Sequence, residues 1–512
     1  MEKAALLSGS TKGAWILAAT ILGSSLTFID GTVVNVALPV LQEEFNTGVA
    51  GTQWIVESYA LMLSALLLVG GSLGDHYGRK RIFALGVAVF AFSSAWCGLA
   101  SSISHLIIAR AIQGIGAALL VPGSLAIITA AFPEQKRGAA IGTWSGFTAI
   151  AAGFGPVLGG WLIANFSWRW AFFINVPFSV IVLLIVWRHV PESRDEQATG
   201  RLDYLGSFLA TVGLGGTVFA LIESGSKRLS NSLIITSAVV GVSAFALFIW
   251  VEGKSRSPMM PLRLFKSKTF AGANLLTLLL YSALGGILFF LPFNLIEVQG
   301  YSPTAAGSAL LPFVLMMFLL SRWAGTLVKR YGARLPLIIG PAIAAIGFLL
   351  FSFPKAETGS YWTSFFPAIL VMSFGMSVTV APLTTVVMSA VERQEAGIAS
   401  GINNAVSRTA SLLAIAVLGI FMLAAFKTDF KKHLQALDLE PEIRAQLNAE
   451  TNDLTALKLP GSFDVETKRS VKEAVNNSFV TGFRLIAWIC SGLALLSAFA
   501  AWLLIEEKLG PG

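Results

Sequence analysis

The sequence "GSLGDHYGRK" (Gly71–Lys80) and its partial copy "GTLVKRYGAR" (Gly325–Arg334) decide the fold. Aligned without gaps, the two stretches share a glycine, a leucine, a Tyr-Gly pair and a basic last residue. Each of them closes a long apolar run, so the copies hold equivalent places in two parts of the chain. Parallel repeats of six membrane spans are a transporter architecture. The pair therefore predicts two related membrane halves.

The composition excludes an ordinary soluble protein. The chain has 512 residues, of which 55% are hydrophobic and 12% charged, whereas soluble domains carry about 25% charged residues. The net charge of +8 could suggest nucleic acid. However, the basic residues lie in short loops between apolar spans, which is typical of membrane orientation, so we expect no nucleic-acid partner. We read Cys97 and Cys490, both in apolar spans, as residues that need not pair.

Fourteen apolar segments are long enough to cross a hydrocarbon core about 30 Å thick. They lie near 14–38, 53–74, 81–101, 105–127, 138–163, 168–188, 204–223, 233–252, 269–293, 304–328, 335–353, 361–386, 396–426 and 478–505. We expect an all-α polytopic membrane protein with two six-helix bundles, at 1–190 and 261–512. An inserted pair of helices, within 191–260, separates them.

Loop charges predict the orientation. Lysine and arginine are concentrated in one set of loops, as at Arg79, Lys80 and Arg81, and are scarce in the opposite set. The positive-inside rule then places both termini in the cytoplasm. The long loop at 427–478 faces outward, and "EPEIRAQLNAE" and "VETKRSVKEAVNN" within it read as short amphipathic helices. We expect a small folded cap there, and a disordered loop is the alternative.

Six motifs occur in the order expected for one transporter family. They are "IDGTVVNVALP" (Ile29–Pro39), "WIVESYAL" (Trp54–Leu61), "GSLGDHYGRKR" (Gly71–Arg81), "RAIQGIGAA" (Arg110–Ala118), "GFGPVLGG" (Gly153–Gly160) and "PLRLFKSKTFAGANL" (Pro261–Leu275). With these motifs the chain resembles the major facilitator superfamily, and within it the fourteen-span drug:proton antiporters. The resemblance implies a multidrug exporter of the bacterial cytoplasmic (inner) membrane, powered by the proton gradient and without a cofactor.

Two motifs are candidates for controlling conformation. The loop motif contributes Gly71, Asp75, Gly78 and Arg79, and the span-five motif contributes Gly155, Pro156, Gly159 and Gly160. The charge cluster of the loop could latch the inward-closed face, or its bases could only anchor the loop at the membrane. The glycines and the proline of span five could permit a bend that controls opening, or simply close helix packing.

Three ionisable residues lie at similar depth in the outer half of the N-terminal bundle. They are Asp30 in the first span, Glu57 in the second and Arg110 in the fourth. Charges inside a membrane are costly and usually functional. Arg110 can neutralise one carboxylate and leave the other free to exchange protons, so this cluster is the candidate for proton coupling and substrate binding. A purely structural ion pair is the alternative.

Polar residues in other spans are candidates for lining a cavity. Gln113, Asn403 and Asn404 carry amides that could contact substrate or could hydrogen-bond between helices. Arg408 lies near mid-span, where it could pair with an acid of the other half, help bind an anionic group, or face a wet gap. These alternatives stay open at the level of sequence.

The leading hypothesis is proton-coupled export of amphipathic, often cationic compounds by alternating access. An exporter of one dedicated lipid, siderophore or metabolite is the alternative, and a sensor or scaffold is a third option. No GxxxxGK[ST] motif occurs, and the four histidines are scattered, so we expect neither an ATPase, a metal site nor an enzyme. We expect the bilayer, protons and small amphipathic substrates as partners of a monomer, with a periplasmic adaptor left open.

Overall fold

The computed structural model is mostly helical in the part of the chain that it describes. That part comprises residues 11–194, 203–226, 231–255, 258–356, 360–392, 395–437, 440, 443–444, 447 and 465–507. No strand occurs among these residues. The predicted all-α membrane fold is confirmed.

The described residues form fourteen long helices. Their bounds are α1 Thr11–Glu44, α2 Val49–Tyr77, α3 Arg79–Gly98, α4 Ile103–Ala131, α5 Glu134–Asn165, α6 Asn175–His189, α7 Tyr204–Ser226, α8 Ser232–Lys254, α9 Lys268–Phe293, α10 Leu311–Tyr331, α11 Arg334–Leu350, α12 Phe366–Ser389, α13 Ala396–Ala436 and α14 Val465–Leu504. Shorter helical pieces lie at Trp170–Phe173, Leu262–Lys266, Asn294–Val298, Pro303–Ser308 and Tyr361–Ser364.

Thirteen helices in the described residues are long and apolar enough to cross a membrane. The predicted span 335–353 corresponds to α11, which has 17 residues. By length and composition, α11 is not among these thirteen. The predicted count of fourteen spans is therefore not confirmed in the described residues.

The chain divides into two compact units. Unit 1 comprises Met1–Ala37, Ile55–Gly216 and Val239–Leu262, and unit 2 comprises Leu38–Trp54, Thr217–Ala238 and Arg263–Gly512. In unit 1, α3 packs against α4 and α6. In unit 2, α9, α11 and α13 each pack against α14. The domain bounds expected from the sequence, 1–190, 191–260 and 261–512, stay a prediction.

The last two helices continue well beyond their apolar parts. α13 has 41 residues and α14 has 40, or about 60 Å each at 1.5 Å per residue. We call residues 427–436 of α13 and 465–481 of α14 the stalk. Thr481 Oγ1 donates to Asp429 Oδ2 at 3.1 Å, and His433 Nδ1 lies 3.5 Å from Ser478 Oγ, so hydrogen-bonding groups join the two helices.

The stalk accounts for part of the predicted outer loop, 427–478. "VETKRSVKEAVNN" is helical, but it is the first part of α14 rather than a separate short helix. No proline interrupts the chain between Val465 and Leu504, so the helix continues into the apolar span. The other amphipathic stretch, 440–450, lies mostly outside the described residues.

Candidate functional site

Asp30 lies on α1 and is fully buried, and side chains from α4 and α6 surround it. Arg110 Nη1 donates to its Oδ2 at 2.5 Å. The other oxygen, Oδ1, accepts from Gln113 Nε2 at 2.9 Å and from Asn175 Nδ2 at 3.2 Å. A carboxylate that accepts several N–H groups is stabilised in its charged form. The structure therefore brings together Asp30 and Arg110 of the predicted cluster with Gln113, a predicted cavity-lining residue.

Arg110 is also satisfied by groups other than Asp30. Its Nη1 donates to Gln113 Oε1 at 2.7 Å, and its Nε donates to the Ile55 carbonyl of α2 at 3.1 Å. The guanidinium carbon lies 4.2 Å from the centre of the Tyr59 ring. Such a cation–π contact is strongest where the cation is desolvated, and Arg110 is only 1% exposed.

Glu57 is buried on α2 but is not part of this network. Its side chain is fully buried, and neither carboxylate oxygen has a hydrogen-bond partner among the described residues. Ionised carboxylates are expensive to bury without a partner. Both acids were expected as possible partners of Arg110. In the structure, Asp30 forms the ion pair with Arg110, and neither Glu57 oxygen has a hydrogen-bond partner among the described residues.

Helix geometry explains why Glu57 does not meet Arg110. Arg110 contacts Ile55 and Tyr59, which are four residues apart and therefore share one face of α2. Glu57 lies two residues from each, about 200° around the helix from both. Its side chain consequently leaves α2 on another face than the one turned to the guanidinium.

A glycine of the span-four motif sets the distance between α2 and α4. A Cβ on Gly114 would lie 2.4 Å from the Tyr59 carbonyl oxygen, so no larger residue fits there without a shift of backbone. Small residues at such positions let membrane helices approach closely. Because Gly114 is one turn from Arg110, the close approach brings the guanidinium onto the α2 backbone.

The span-five motif packs α5 against α1 next to Asp30. A Cβ on Gly155 would lie 2.0 Å from Thr32 Oγ1, and one on Gly159 would lie 2.8 Å from Val33 Cγ1. Thr32 Oγ1 also donates to the Ala152 carbonyl of α5 at 3.1 Å. Pro156 and Gly160 are buried in the same helix, which continues through the proline. Close helix packing is therefore one role of this motif, and a role in bending stays a prediction.

The loop motif is tied down within unit 1. Arg79 Nη2 and Asp75 Oδ1 form an ion pair at 2.8 Å across the turn between α2 and α3. Gly78 has φ +112°, a conformation that glycine adopts readily. Gly71 lies against Pro122 of α4, since a Cβ on it would be 3.5 Å from the proline Cβ. Gly71 and Asp75 therefore lie on α2, Gly78 forms the turn, and Arg79 begins α3.

The sequence analysis missed two residues. One is Glu192, near the loop motif, and the other is Asn175, beside Asp30. Glu192, after α6, accepts from the Lys80 backbone N–H at 3.0 Å and so caps α3, where a negative charge is favourable. Asn175 links Asp30 to Ser94 Oγ, at 3.0 Å from its Nδ2. An asparagine inside the apolar run of α6 was the available sequence signal, because buried amides in membranes usually bond to another helix.

In unit 2 the predicted amides have different surroundings. Asn403 Nδ2 donates to Thr277 Oγ1 at 2.7 Å and to Asn274 Oδ1 at 3.1 Å, so it bonds α13 to α9. Asn404 is exposed and donates to the Ser400 carbonyl of its own helix at 3.0 Å. Arg408 lies half-buried on the same helix. Helix-to-helix hydrogen bonding is therefore one role of Asn403, and cavity lining stays a prediction for all three.

Comparison with known proteins identifies the family. A family model described as Major Facilitator Superfamily matches residues 20–415. The chain belongs to the Major Facilitator Superfamily. The membership that the motifs indicated is thereby confirmed. The superfamily and its fold are those of multi-pass membrane transporters rather than of enzymes.

Relatives within the superfamily cover most of the chain. The multidrug resistance protein Stp of Mycobacterium tuberculosis (strain CDC 1551 / Oshkosh) is 37% identical over 83% of this chain and 79% of its own. The tetracenomycin C resistance and export protein of Streptomyces glaucescens is 30% identical over 95% of this chain and 90% of its own. The methylenomycin A resistance protein of Bacillus subtilis (strain 168) is 32% identical over 81% and 89%.

Solved structures share the fold. The crystal structure of a bacterial homolog to the human lysosomal transporter Spinster, inward-facing and unoccupied, aligns with a TM-score of 0.68 and 19% identity. The alignment covers 98% of this chain and 100% of that one. The inward-open xylose transporter XylE from E. coli aligns with a TM-score of 0.59 and 15% identity over 97% of each chain. At these identities the likeness establishes the fold alone.

Proposed function

We propose that this protein is a secondary active exporter that moves amphipathic, often cationic compounds out of the cell in exchange for protons. Its membership of the superfamily and its relatives named for multidrug resistance support export of drug-like compounds. The observation that carries proton coupling is the contrast between two buried acids. Asp30 is held by three donors, and Glu57 has no hydrogen-bond partner in the described part of the chain.

The contrast assigns different roles to the two carboxyls. Asp30 acts as a fixed anion, because protonating it would break its charge-assisted bond with Arg110. Glu57 is neutral when a proton occupies it, which avoids an unpaired charge in a buried place. When that proton leaves, a cationic group of the substrate can neutralise the carboxylate instead. One side chain thereby binds either a proton or a substrate, as antiport requires.

Glu57→Gln tests this assignment, since the amide keeps the size of the side chain but cannot ionise. In inside-out vesicles, the wild type is expected to show proton movement that depends on a cationic substrate. Glu57→Gln is expected to lose that movement. In purified protein, substrate binding should strengthen with rising pH in the wild type, because the carboxylate then ionises, and should be independent of pH in the variant.

Glu43→Gln is the matched control, because Glu43 is an exposed acid at the end of α1. We expect it to retain both the proton movement and the pH dependence of binding. Proton movement at the wild-type level in Glu57→Gln, with the variant folded by size-exclusion chromatography, would refute the assignment to Glu57. Absence of transport by the wild type for every compound class would refute the function itself.

A second candidate is export of one dedicated compound, such as a lipid, siderophore or metabolite. Two relatives favour it, since they are named for resistance to the single compounds tetracenomycin C and methylenomycin A. A panel of compound classes in the vesicle assay separates the candidates. Several unrelated substrates indicate multidrug export, and one substrate indicates a dedicated exporter.

Location and partners follow from the same proposal. The bias of lysine and arginine between loops supports a multi-pass protein of the cytoplasmic (inner) membrane with both termini in the cytoplasm. The proton gradient supplies the energy, so transport needs no bound cofactor. We propose that the protein functions as a monomer in the bilayer. Co-purification tests whether it associates with a periplasmic adaptor.

A further inference from the structure

Two acids meet at the end of the α7–α8 hairpin, away from Asp30 and Glu57 in the sequence. Asp203 directly precedes α7, and its Oδ1 accepts from the Gly206 N–H at 2.7 Å, as an N-cap residue does. Glu252 lies in the last turn of α8 and is only 2% exposed. Its Oε2 accepts from the Met260 N–H at 2.9 Å. One oxygen of each carboxyl is therefore occupied by a backbone donor.

The remaining oxygens of the two acids both lie close to Gly206. A Cβ on Gly206 would lie 2.7 Å from Asp203 Oδ2 and 2.8 Å from Glu252 Oε1, so both oxygens converge on the same backbone position. Each is buried, and neither has a hydrogen-bond partner among the described residues. Two ionised carboxylates have no hydrogen atom to share, so a bond between these oxygens needs one added proton.

No described cation neutralises the pair. Lys254, the nearest base along α8, is exposed and lies over the Trp250 ring, 4.2 Å from its centre. Among the described residues that follow α8, Met259 and Met260 approach the hairpin end, and they carry no charge. Beneath the pair, apolar side chains of both helices pack together, among them Leu209, Ala210, Ala244 and Phe248. The acids therefore lie at the edge of a poorly solvated core.

Two ionised carboxylates close together in such surroundings repel each other. Binding of one proton removes one charge and creates a strong O–H···O⁻ hydrogen bond between the acids. We propose that Asp203 and Glu252 together form a proton-binding site that holds one shared proton and fastens the start of α7 to the end of α8. The site shares no residue with the proposed coupling site and does not rest on the proposed function.

Infrared spectroscopy of the purified protein tests for the shared proton. A protonated carboxyl has a carbonyl stretch distinct from that of a carboxylate, and Glu57→Gln serves as the background so that Glu57 does not contribute. In that background we expect a protonated-carboxyl band near neutral pH. The band should lose the absorbance of one carboxyl when either Glu252→Gln or Asp203→Asn is added. An unchanged band in both variants would overturn the proposal.

Thermal unfolding supplies a second readout that does not depend on spectroscopy. The experiment uses Glu57→Gln as the background, so that Glu57 does not contribute. Raising the pH should remove the shared proton and lower the Tm of this protein, because two adjacent charges then remain. The amide introduced by adding Glu252→Gln can donate to Asp203 Oδ2 without any proton, so the double variant should fold and lose that pH-dependent fall. Adding Glu43→Gln, the exposed control, should keep it. An equal fall with and without Glu252→Gln in this background would also overturn the proposal.

Discussion

Replacing Asp30 with asparagine should destabilise the protein by about 3–5 kcal/mol, the usual cost of removing one partner from a buried ion pair. Arg110 is 1% exposed, so solvent cannot reach the unpaired guanidinium. It keeps Gln113 Oε1, the Ile55 carbonyl and the Tyr59 ring as neighbours. None of these carries the negative charge that balances it. The loss should therefore exceed that of an ordinary buried hydrogen bond, about 1 kcal/mol.

A double-mutant cycle isolates the charge interaction. Arg110→Met alone leaves a buried carboxylate with the N–H groups of Gln113 and Asn175. Combined with Asp30→Asn, it removes both charges, so the double variant should cost less than the sum of the single variants by about 1–3 kcal/mol. Reversible unfolding in mixed detergent micelles measures the three free energies of unfolding against the wild type.

Asn404→Ala is the control for this cycle, because Asn404 is exposed and its side chain donates to the Ser400 carbonyl of its own helix. We expect its free energy of unfolding to change by less than about 0.5 kcal/mol. Additive losses in Asp30→Asn and Arg110→Met would refute the reasoning, since they would mean that the two side chains do not interact in the folded protein.

Two further predictions concern helix packing. Gly155→Ala should cost about 1–3 kcal/mol in unfolding free energy, because the added Cβ meets Thr32 Oγ1 at 2.0 Å. Adding Thr32→Ala should recover part of that loss, and wild-type stability of Gly155→Ala alone would contradict the packing role. Asn403→Ala should cost about 0.6–1.7 kcal/mol, the range for hydrogen bonds between membrane helices. A loss as small as that of Asn404→Ala would show that its bonds to α9 contribute nothing.

The sequence predicted the all-α membrane fold because hydrophobic length is a property of the chain alone. It also placed Asp30, Glu57 and Arg110 at similar depth in their spans, but it left open which carboxylate pairs with Arg110. Depth, however, says nothing of rotation about the helix axis. Whether Arg110 faces Ile55 or Glu57 depends on which side of α2 turns to α4, and that side is set by the approach of Gly114 to Tyr59.

Other features depended on contacts between distant parts of the chain. Glu192 reads as an ordinary loop acid, and only the fold places it at the start of α3. Asp203 precedes α7 and Glu252 lies in the last turn of α8, and their meeting depends on how α7 and α8 pair. The length of α13 was underestimated because its charged end, from Lys427 onward, does not look like a membrane span.

That charged end, paired with the start of α14, has a practical consequence for imaging. A transporter enclosed by its detergent micelle offers few features for aligning particle images. The stalk extends α13 by ten described residues, about 15 Å at 1.5 Å per residue. The stalk helices continue without a break into the apolar spans of unit 2. The orientation of the stalk in an image therefore gives the orientation of unit 2. The stalk is a built-in landmark for electron microscopy and a rigid place to attach a fiducial domain.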